Sequence, residues 1–112
     1  MRDFKRLGLK KDILKAIKHQ ETTEVQEKII PLILQGKNIV FTSMTGSGKT
    51  LAYTLGFLGK INTKLGIQML VLAPTRELCI QISKEINQIC ESLGIKVGKL
   101  YGGRSLAGDY KT

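Results

Sequence analysis

The sequence predicts an α/β domain in which a parallel sheet is flanked by helices and preceded by two further helices. Residues 38–42, 67–72 and 95–101 are short runs rich in β-branched, aliphatic or aromatic side chains, a composition typical of buried strands. Helical patterns separate these runs, and a glycine-rich stretch joins the first run to the helix that follows it. The order helix, helix, then βαβαβ predicts parallel strands with right-handed crossovers.

A basic amphipathic helix is predicted at the start of the chain. Residues 2–18 carry seven basic and two acidic side chains. Apolar residues recur at helical spacing within them: Leu9, Ile13, Leu14 and Ile17. The basic outer face has two possible interpretations, a nucleic-acid contact or an ordinary solvated surface.

A second helix is predicted to begin at Thr23. Thr23 and Gln26 have the spacing of a capping box, in which each side chain bonds to the other residue's backbone N–H. The apolar face consists of Val25, Ile29, Leu32 and Ile33. Pro31 is expected to kink the helix or force an irregular turn, and Gly36 is expected to close it.

The stretch after the first predicted strand has the pattern of a phosphate-binding loop. It is Ser43-Met44-Thr45-Gly46-Ser47-Gly48-Lys49-Thr50, with serine where the strict pattern has its first glycine. Gly46 and Gly48 allow the backbone to turn its N–H groups towards an anion, and the next helix adds its positive end. Lys49 is expected to contact the β- and γ-phosphates of a nucleotide, and the Thr50 hydroxyl is expected to bind Mg²⁺. The alternative is a glycine-rich connection that binds nothing.

The rest of the chain contains two more helices and two more strands in alternation. The helix after the loop is predicted to end near Lys60, and the strand at 67–72 follows it. Thr75 is predicted to cap a long helix that has Glu77 in its first turn and ends at Gly94. The residues predicted to form its core-facing stripe are Leu78, Cys79, Ile82, Ile86, Ile89, Cys90 and Leu93.

Composition restricts the class of protein and of partner. The chain has 112 residues, enough for one domain, and its 18 basic and nine acidic side chains give a net charge of +9. This charge suits a polyanion such as RNA, DNA or a nucleotide, although a lysine-rich surface alone would also explain it. With two cysteines far apart on one predicted helix, one histidine and no CxxC pattern, neither a disulfide nor a zinc site is expected. No secretory signal or membrane span is recognisable, so we expect a cytoplasmic protein.

Four groups of residues then form a recognisable series. They are Phe4 with Leu7-Gly8-Leu9 and Thr23-Glu24-Val25-Gln26; Gln35-Gly36-Lys37-Asn38 leading to Thr45-Gly46-Ser47-Gly48-Lys49-Thr50; Ala73-Pro74-Thr75-Arg76-Glu77-Leu78 followed by Gln81-Ile82; and Tyr101-Gly102-Gly103. In turn they resemble the Q motif, motif I, motif Ia and the GG motif of DEAD-box RNA helicases, which are superfamily 2 ATPases. The resemblance covers nearly the whole chain. It implies a partial RecA-like P-loop NTPase domain, with residues 1–36 as a helical leader and residues 37–112 as the βαβαβ core.

The resemblance also implies cofactors, partners and residue roles. It implies ATP and Mg²⁺ as cofactors and RNA, as a single strand or a short duplex, as partner. Lys49 and Thr50 would be the catalytic residues, Thr50 the metal ligand, and residues 43–50 the nucleotide site. Gln26 would read the adenine edge, although its amide could instead cap the helix when no nucleotide is bound. The residues expected to contact the nucleic-acid backbone are Pro74, Thr75, Arg76, Gly102 and Gly103. A surface salt bridge of Arg76 and a plain turn at the glycines are the alternatives.

Two features depart from the family pattern. Residues 18–23 lack the glycine-aromatic pair and the proline that precede the glutamine in the family, which leaves adenine selectivity open. The 112 residues contain no Asp-Glu-Ala-Asp sequence, which in the family supplies the carboxylates that hold Mg²⁺ and position the attacking water. By resemblance, the chain alone is therefore expected not to hydrolyse ATP, and a second chain would supply the missing strands and a second RecA-like domain. With three strands and open sheet edges, we expect marginal stability for the chain alone.

The sequence supports three functional hypotheses. The first is the ATP-binding portion of an ATP-dependent RNA helicase, whose closure on ATP and RNA separates a short duplex. The second is a non-catalytic nucleotide- or RNA-binding module, or half of a split helicase. The third is a small P-loop kinase, which the motif Ia and GG stretches disfavour.

Overall fold

The computed structural model describes residues 3–17, 21–44 and 48–102, and within them it contains four α-helices. They are α1 (Lys11–Ala16), α2 (Glu24–Leu34), α3 (Lys49–Leu58) and α4 (Arg76–Cys90). Two 3₁₀ turns, Phe4–Leu7 and Glu91–Leu93, accompany α1 and α4. None of the described helices is long and apolar enough to cross a membrane.

The first helical region is shorter and more broken than predicted. Gly8 has a φ of 85°, in the left-handed region, and it separates the turn at Phe4–Leu7 from α1. The predicted apolar face is nevertheless correct, since Leu9 and Ile13 are buried and Leu14 and Ile17 are half-buried.

Helix α2 has the predicted ends. The Thr23 hydroxyl accepts a hydrogen bond from the Gln26 backbone N–H at 3.3 Å, and the Gln26 side chain accepts one from the Thr23 N–H at 2.9 Å. At the other end, Gly36 has a φ of 81°, and its N–H donates to the Ile33 carbonyl. The irregular turn expected at Pro31 does not occur, because the helix continues through it to Leu34.

Helices α2 and α3 pack closely at a glycine. A Cβ added to Gly56 of α3 would lie 2.8 Å from the Ile33 Cβ of α2, a separation that real Cβ atoms essentially never show. The larger core cluster consists of Phe4, Leu9, Ile13, Ile30, Leu55, Leu58, Ile86, Ile89 and Cys90. This core joins the leader to α2, α3 and α4 and fixes the start of α3, where the predicted phosphate loop ends.

The predicted sheet is not confirmed, because the described residues contain no strand. Residues 37–44, 67–73 and 95–101 have no regular secondary structure. In the first of these segments, Ile39 and Phe41 pack against α2 and α3, whereas Val40 between them is fully exposed. Such alternation is typical of a strand that is covered on one face only.

The prediction that these segments are buried is wrong for this chain. Val40 is 100% exposed, and large exposed fractions are also found at Ile67, Leu70, Leu72 and Leu100. Burial of a strand on both faces requires an element on each side, and the described residues supply none on the far side. The core stripe of α4 is likewise buried only in its second half, at Ile86, Ile89 and Cys90, whereas Leu78 near its start is exposed.

Both cysteines are free thiols. Cys90 is buried, and this burial raises the pKa of its thiol, which keeps it protonated and unreactive. Cys79 is only half-buried, and its Sγ lies 3.8 Å from the Leu100 carbonyl oxygen.

Candidate nucleotide and nucleic-acid site

The start of α3 is open to an anion. Gly48, with a φ of 85°, is the N-cap residue, and no side chain makes a capping hydrogen bond there. The first turn contains Lys49 and no acidic residue. Because the first N–H groups of a helix have no partner within the helix and carry partial positive charge, this terminus favours a negatively charged ligand.

Lys49 lies across the loop. Its Nζ donates a hydrogen bond of 2.6 Å to the Ser43 backbone carbonyl. The two ends of the predicted phosphate loop are thus joined by the side chain expected to bind phosphate. Ser43 is half-buried and Met44 is 83% exposed. Thr45, Gly46 and Ser47 lie outside the described residues.

Gln26 connects the N-terminus of α2 to the same loop. Its Nε2 donates to the Gly48 carbonyl at 3.3 Å while its Oε1 accepts the Thr23 N–H. The residue is only 3% exposed. A Cβ on Gly48 would overlap the Gln26 amide, so a glycine is required here both for its backbone conformation and for space.

Thr50 fits the role of a single magnesium ligand. It is half-buried in the first turn of α3 and offers one hydroxyl oxygen. Among the described residues, no group of three or more His, Cys, Asp or Glu side chains could hold a metal by itself. Mg²⁺ in nucleotide sites keeps several waters and is bound largely through phosphate oxygens, so one protein hydroxyl beside a phosphate site is a chemically suitable donor.

The surroundings of Thr50 extend into the helical core. Burial raises the pKa of the Tyr53 phenol, a hydrogen bond from the Thr50 side chain opposes that rise, and the Glu85 carboxylate adds to it. A cavity of about 300 Å³ lies between the end of α1, α3 and α4, with Thr50, Thr54 and Glu85 among its lining residues. The Thr54 hydroxyl is buried and has no hydrogen-bond partner among the described residues.

The two stretches predicted to contact nucleic acid meet each other. Thr75 caps α4 as predicted, its hydroxyl accepting the Leu78 N–H at 3.1 Å. Arg76 donates from Nη1 to the Gly102 carbonyl at 3.3 Å, and both residues are exposed. Pro74 is also exposed, and Gly103 lies outside the described residues. Arg76 therefore links motif Ia to the GG stretch, an arrangement different from the salt bridge considered as the alternative.

A polar network that the motifs did not indicate attaches the leader to α2. Glu27 accepts a hydrogen bond from Arg6 at 3.1 Å and one from the buried Thr22 hydroxyl at 2.8 Å. Glu27 is the residue next to Gln26, so this network holds the leader close to the residue that contacts the loop. The only local signal in the sequence is an acidic residue in the first turn of α2.

Comparison with known proteins identifies the family. A family model described as DEAD/DEAH box helicase matches residues 23–112, which is most of the chain. The chain belongs to the DEAD/DEAH box helicase family. The match includes the phosphate loop, the motif Ia stretch and the GG stretch of this DEAD/DEAH box helicase chain.

Individual relatives agree with that assignment. The chain is 42% identical, over 95% of its length, to the DEAD-box ATP-dependent RNA helicase CshA of Geobacillus kaustophilus, and it covers 24% of that protein. It is 38% identical over 93% of its length to a probable ATP-dependent RNA helicase of Methanocaldococcus jannaschii, of which it covers 29%. The chain thus spans about a quarter of the length of these relatives.

Solved structures show the same fold relationship. The RNA-helicase Prp28 from Chaetomium thermophilum bound to ADP matches with a TM-score of 0.88 and 35% identity, over 98% of this chain and 29% of that one. A DEAD box protein from the hyperthermophile Methanococcus jannaschii matches with a TM-score of 0.85 and 36% identity, over 99% of this chain and 32% of that one. The arrangement of helices and extended segments is therefore that of the corresponding part of DEAD-box helicases.

Proposed function

We propose that this chain is the ATP-binding portion of an ATP-dependent RNA helicase. The observation that carries the proposal is the uncapped start of α3 at a left-handed Gly48, with the Lys49 ammonium held 2.6 Å from the Ser43 carbonyl across the loop. An incoming triphosphate would replace that carbonyl as the partner of the ammonium and would take the N–H groups of the first turn. Residues 43–50 are the proposed nucleotide site, with Lys49 and Thr50 as its catalytic residues.

In this proposal Mg²⁺ is held by the Thr50 hydroxyl together with oxygens of the bound phosphates and waters. The metal would neutralise charge that develops on the transferring phosphoryl group. The protein's own contribution at this position is to fix the hydroxyl at the first turn of α3, where the core below the helix holds it. The names of the relatives support the activity, since they are ATP-dependent RNA helicases.

RNA is proposed to bind at Pro74, Thr75 and Arg76 and at the two glycines 102 and 103. The contact between Arg76 and the Gly102 carbonyl supports this assignment, because it places a guanidinium beside an exposed backbone turn. Backbone N–H groups at a helix start and a guanidinium are suitable partners for phosphate and carry no base preference. A helicase that acts on many sequences needs contacts of this kind.

The exposed apolar positions support a further part of the proposal, that additional strands cover the extended segments. Val40, Leu70 and Leu72 are each more than four-fifths exposed. Unpaired extended segments with apolar side chains are suited to pairing with other strands. We propose that these strands belong to the rest of a RecA-like domain, which a second chain would also be able to provide.

Measuring Mg-ATP binding by calorimetry tests the nucleotide site. Lys49→Ala removes the ammonium, and the matched control Lys28→Ala removes an exposed lysine that pairs only with Glu24, at 3.1 Å on the surface of α2. Because a hydrogen bond to a charged group contributes about 1.5–3 kcal/mol, Lys49→Ala should weaken binding by about 10- to 150-fold. Lys28→Ala should bind like the wild type. If the folded wild-type chain does not bind Mg-ATP, or if both variants bind it equally well, the proposal is wrong.

A further inference from the structure

We propose that Gln26 positions the phosphate loop and does not select the base, so that the site accepts nucleoside triphosphates as a class. The inference rests on the proposed nucleotide site at residues 43–50 and specifies which ligands that site takes. It differs from the role that the resemblance assigns to this glutamine, which is to read the adenine edge.

The hydrogen bonds of the Gln26 amide are directed into the protein. Oε1 accepts the Thr23 N–H at 2.9 Å, and Nε2 donates to the Gly48 carbonyl at 3.3 Å. A glutamine reads a base edge by presenting its donor and its acceptor together, and both ends of this amide already have partners. The residue is 3% exposed, so the remaining lone pair and the remaining N–H do not face solvent.

Gly48 is the residue through which Gln26 would act. The Gly48 carbonyl accepts the first helical hydrogen bond of α3, from the Ala52 N–H at 3.0 Å, in addition to the bond from Gln26. The amide also fills the space into which a Cβ on Gly48 would project. Gln26 therefore holds the residue that sets the direction of the first turn of α3, and with it the positions of Lys49 and Thr50.

The surroundings of Gln26 also lack an available ring to stack on a base. Residues 18–25 include no Phe, Tyr or Trp. Phe4, the aromatic residue of the leader, is 3% exposed and packs in the core with Leu9 and Ile13. Stacking on an aromatic face is the usual way in which a protein holds a base from the side. Without it, the triphosphate supplies the main binding contacts.

The test is to titrate the 112-residue chain with Mg-ATP, Mg-GTP and magnesium tripolyphosphate, which has no base. In the wild type, ATP and GTP should bind with dissociation constants within about threefold of each other, since no hydrogen bond distinguishes the bases. Gln26→Ala should weaken all three ligands by a common factor of about tenfold, the effect of one lost hydrogen bond and a displaced loop. If Gln26→Ala weakens ATP alone and leaves tripolyphosphate unchanged, Gln26 reads the base and the inference is wrong.

A second variant removes the dependence on folding. Gln26→Glu keeps the acceptor for the Thr23 N–H, and its charge is favourable in the first turn of a helix, but it loses the donor to Gly48. The readout is the ratio of ATP to tripolyphosphate affinity within each variant, which partial unfolding does not alter. This ratio should equal the wild-type ratio in both variants, and a change in both would overturn the inference.

A control separates helix stability from loop position. Thr23→Ala removes the hydroxyl that caps α2 but leaves the Gln26 to Gly48 bond in place, so it should lower the melting temperature without changing the three affinities. The two proposals also fail in different ways. If the wild type binds none of the three ligands, the proposed nucleotide site is wrong, and this inference falls with it. If the wild type binds ATP at least a hundredfold tighter than GTP, the nucleotide site stands and the inference about Gln26 fails.

Discussion

Replacing Gly48 by alanine tests the link between α2 and the phosphate loop most directly. Gly48 has a φ of 85°, and a Cβ there would overlap the Gln26 amide. Gly94 provides a matched control, because its φ is 70° and a Cβ there would have no neighbouring atom within 4 Å. Both substitutions force alanine into the left-handed region, but only Gly48→Ala also displaces a buried side chain.

The expected magnitudes follow from these two contributions. A left-handed conformation costs about 1–2 kcal/mol for a residue other than glycine, and this applies to both positions. Displacing Gln26 also breaks its bond to the Gly48 carbonyl and its capping bond to Thr23, each contributing about 1 kcal/mol. Gly48→Ala should therefore lower the free energy of unfolding by about 3–4 kcal/mol, and Gly94→Ala by about 1–2 kcal/mol.

Urea unfolding followed by far-ultraviolet circular dichroism measures the difference, provided that tyrosine fluorescence gives the same transition. The double variant Gln26→Ala/Gly48→Ala should be about 1–2 kcal/mol less destabilised than the sum of the single variants, because the overlap can be removed only once. Equal destabilisation by the two glycine substitutions, together with additivity in the double variant, would show that the Gln26 amide does not pack against Gly48.

Three other predictions concern the helical core and the proposed RNA contact. Gly56→Ala should destabilise the chain by about 1–3 kcal/mol because the new methyl group overlaps Ile33, and Ile33→Ala should relieve part of that cost; urea unfolding of the single and double variants measures both. Thr54→Val should raise the free energy of unfolding by about 1 kcal/mol, since it removes a buried hydroxyl with no described partner, and a lowered melting temperature would contradict this. Arg76→Gln should weaken binding to oligo-uridine and oligo-adenosine alike and reduce the salt slope by about 1, and a sequence-dependent loss would exclude a backbone contact.

Features that depend on neighbours three or four residues apart were predictable. The capping box at Thr23, the cap at Thr75 and the helix ends at Gly36 and Gly94 all occur as the sequence indicates. Their formation depends on local hydrogen bonds and on the freedom of glycine at positive φ, and both can be recognised in a short window of sequence. The break at Gly8 could have been recognised on the same grounds, since glycine commonly ends a helical turn.

Features that depend on distant partners were not predictable in this way. Gln26 and Gly48 are 22 positions apart, and Arg76 and Gly102 are 26 positions apart. The apolar composition of residues 67–72 indicates an extended segment that can be buried, but burial requires other elements to lie against both of its faces. Leu70 and Leu72 are exposed because the described helices cover at most one face of that segment. Composition therefore predicted the character of the segment and overestimated its burial.

The starts of α3 and α4 show why one helix terminus is the stronger candidate for nucleotide. Both follow an extended apolar segment, as expected for the carboxyl edge of a parallel sheet. At α4 the Thr75 hydroxyl already accepts the Leu78 N–H, so a donor of the first turn is used within the protein. At α3 no side chain caps the helix, and Lys49 adds a full positive charge beside the N–H groups. A highly charged triphosphate gains most at α3, whereas a single phosphate of a nucleic-acid backbone is sufficiently matched by the remaining donors and by Arg76 at α4.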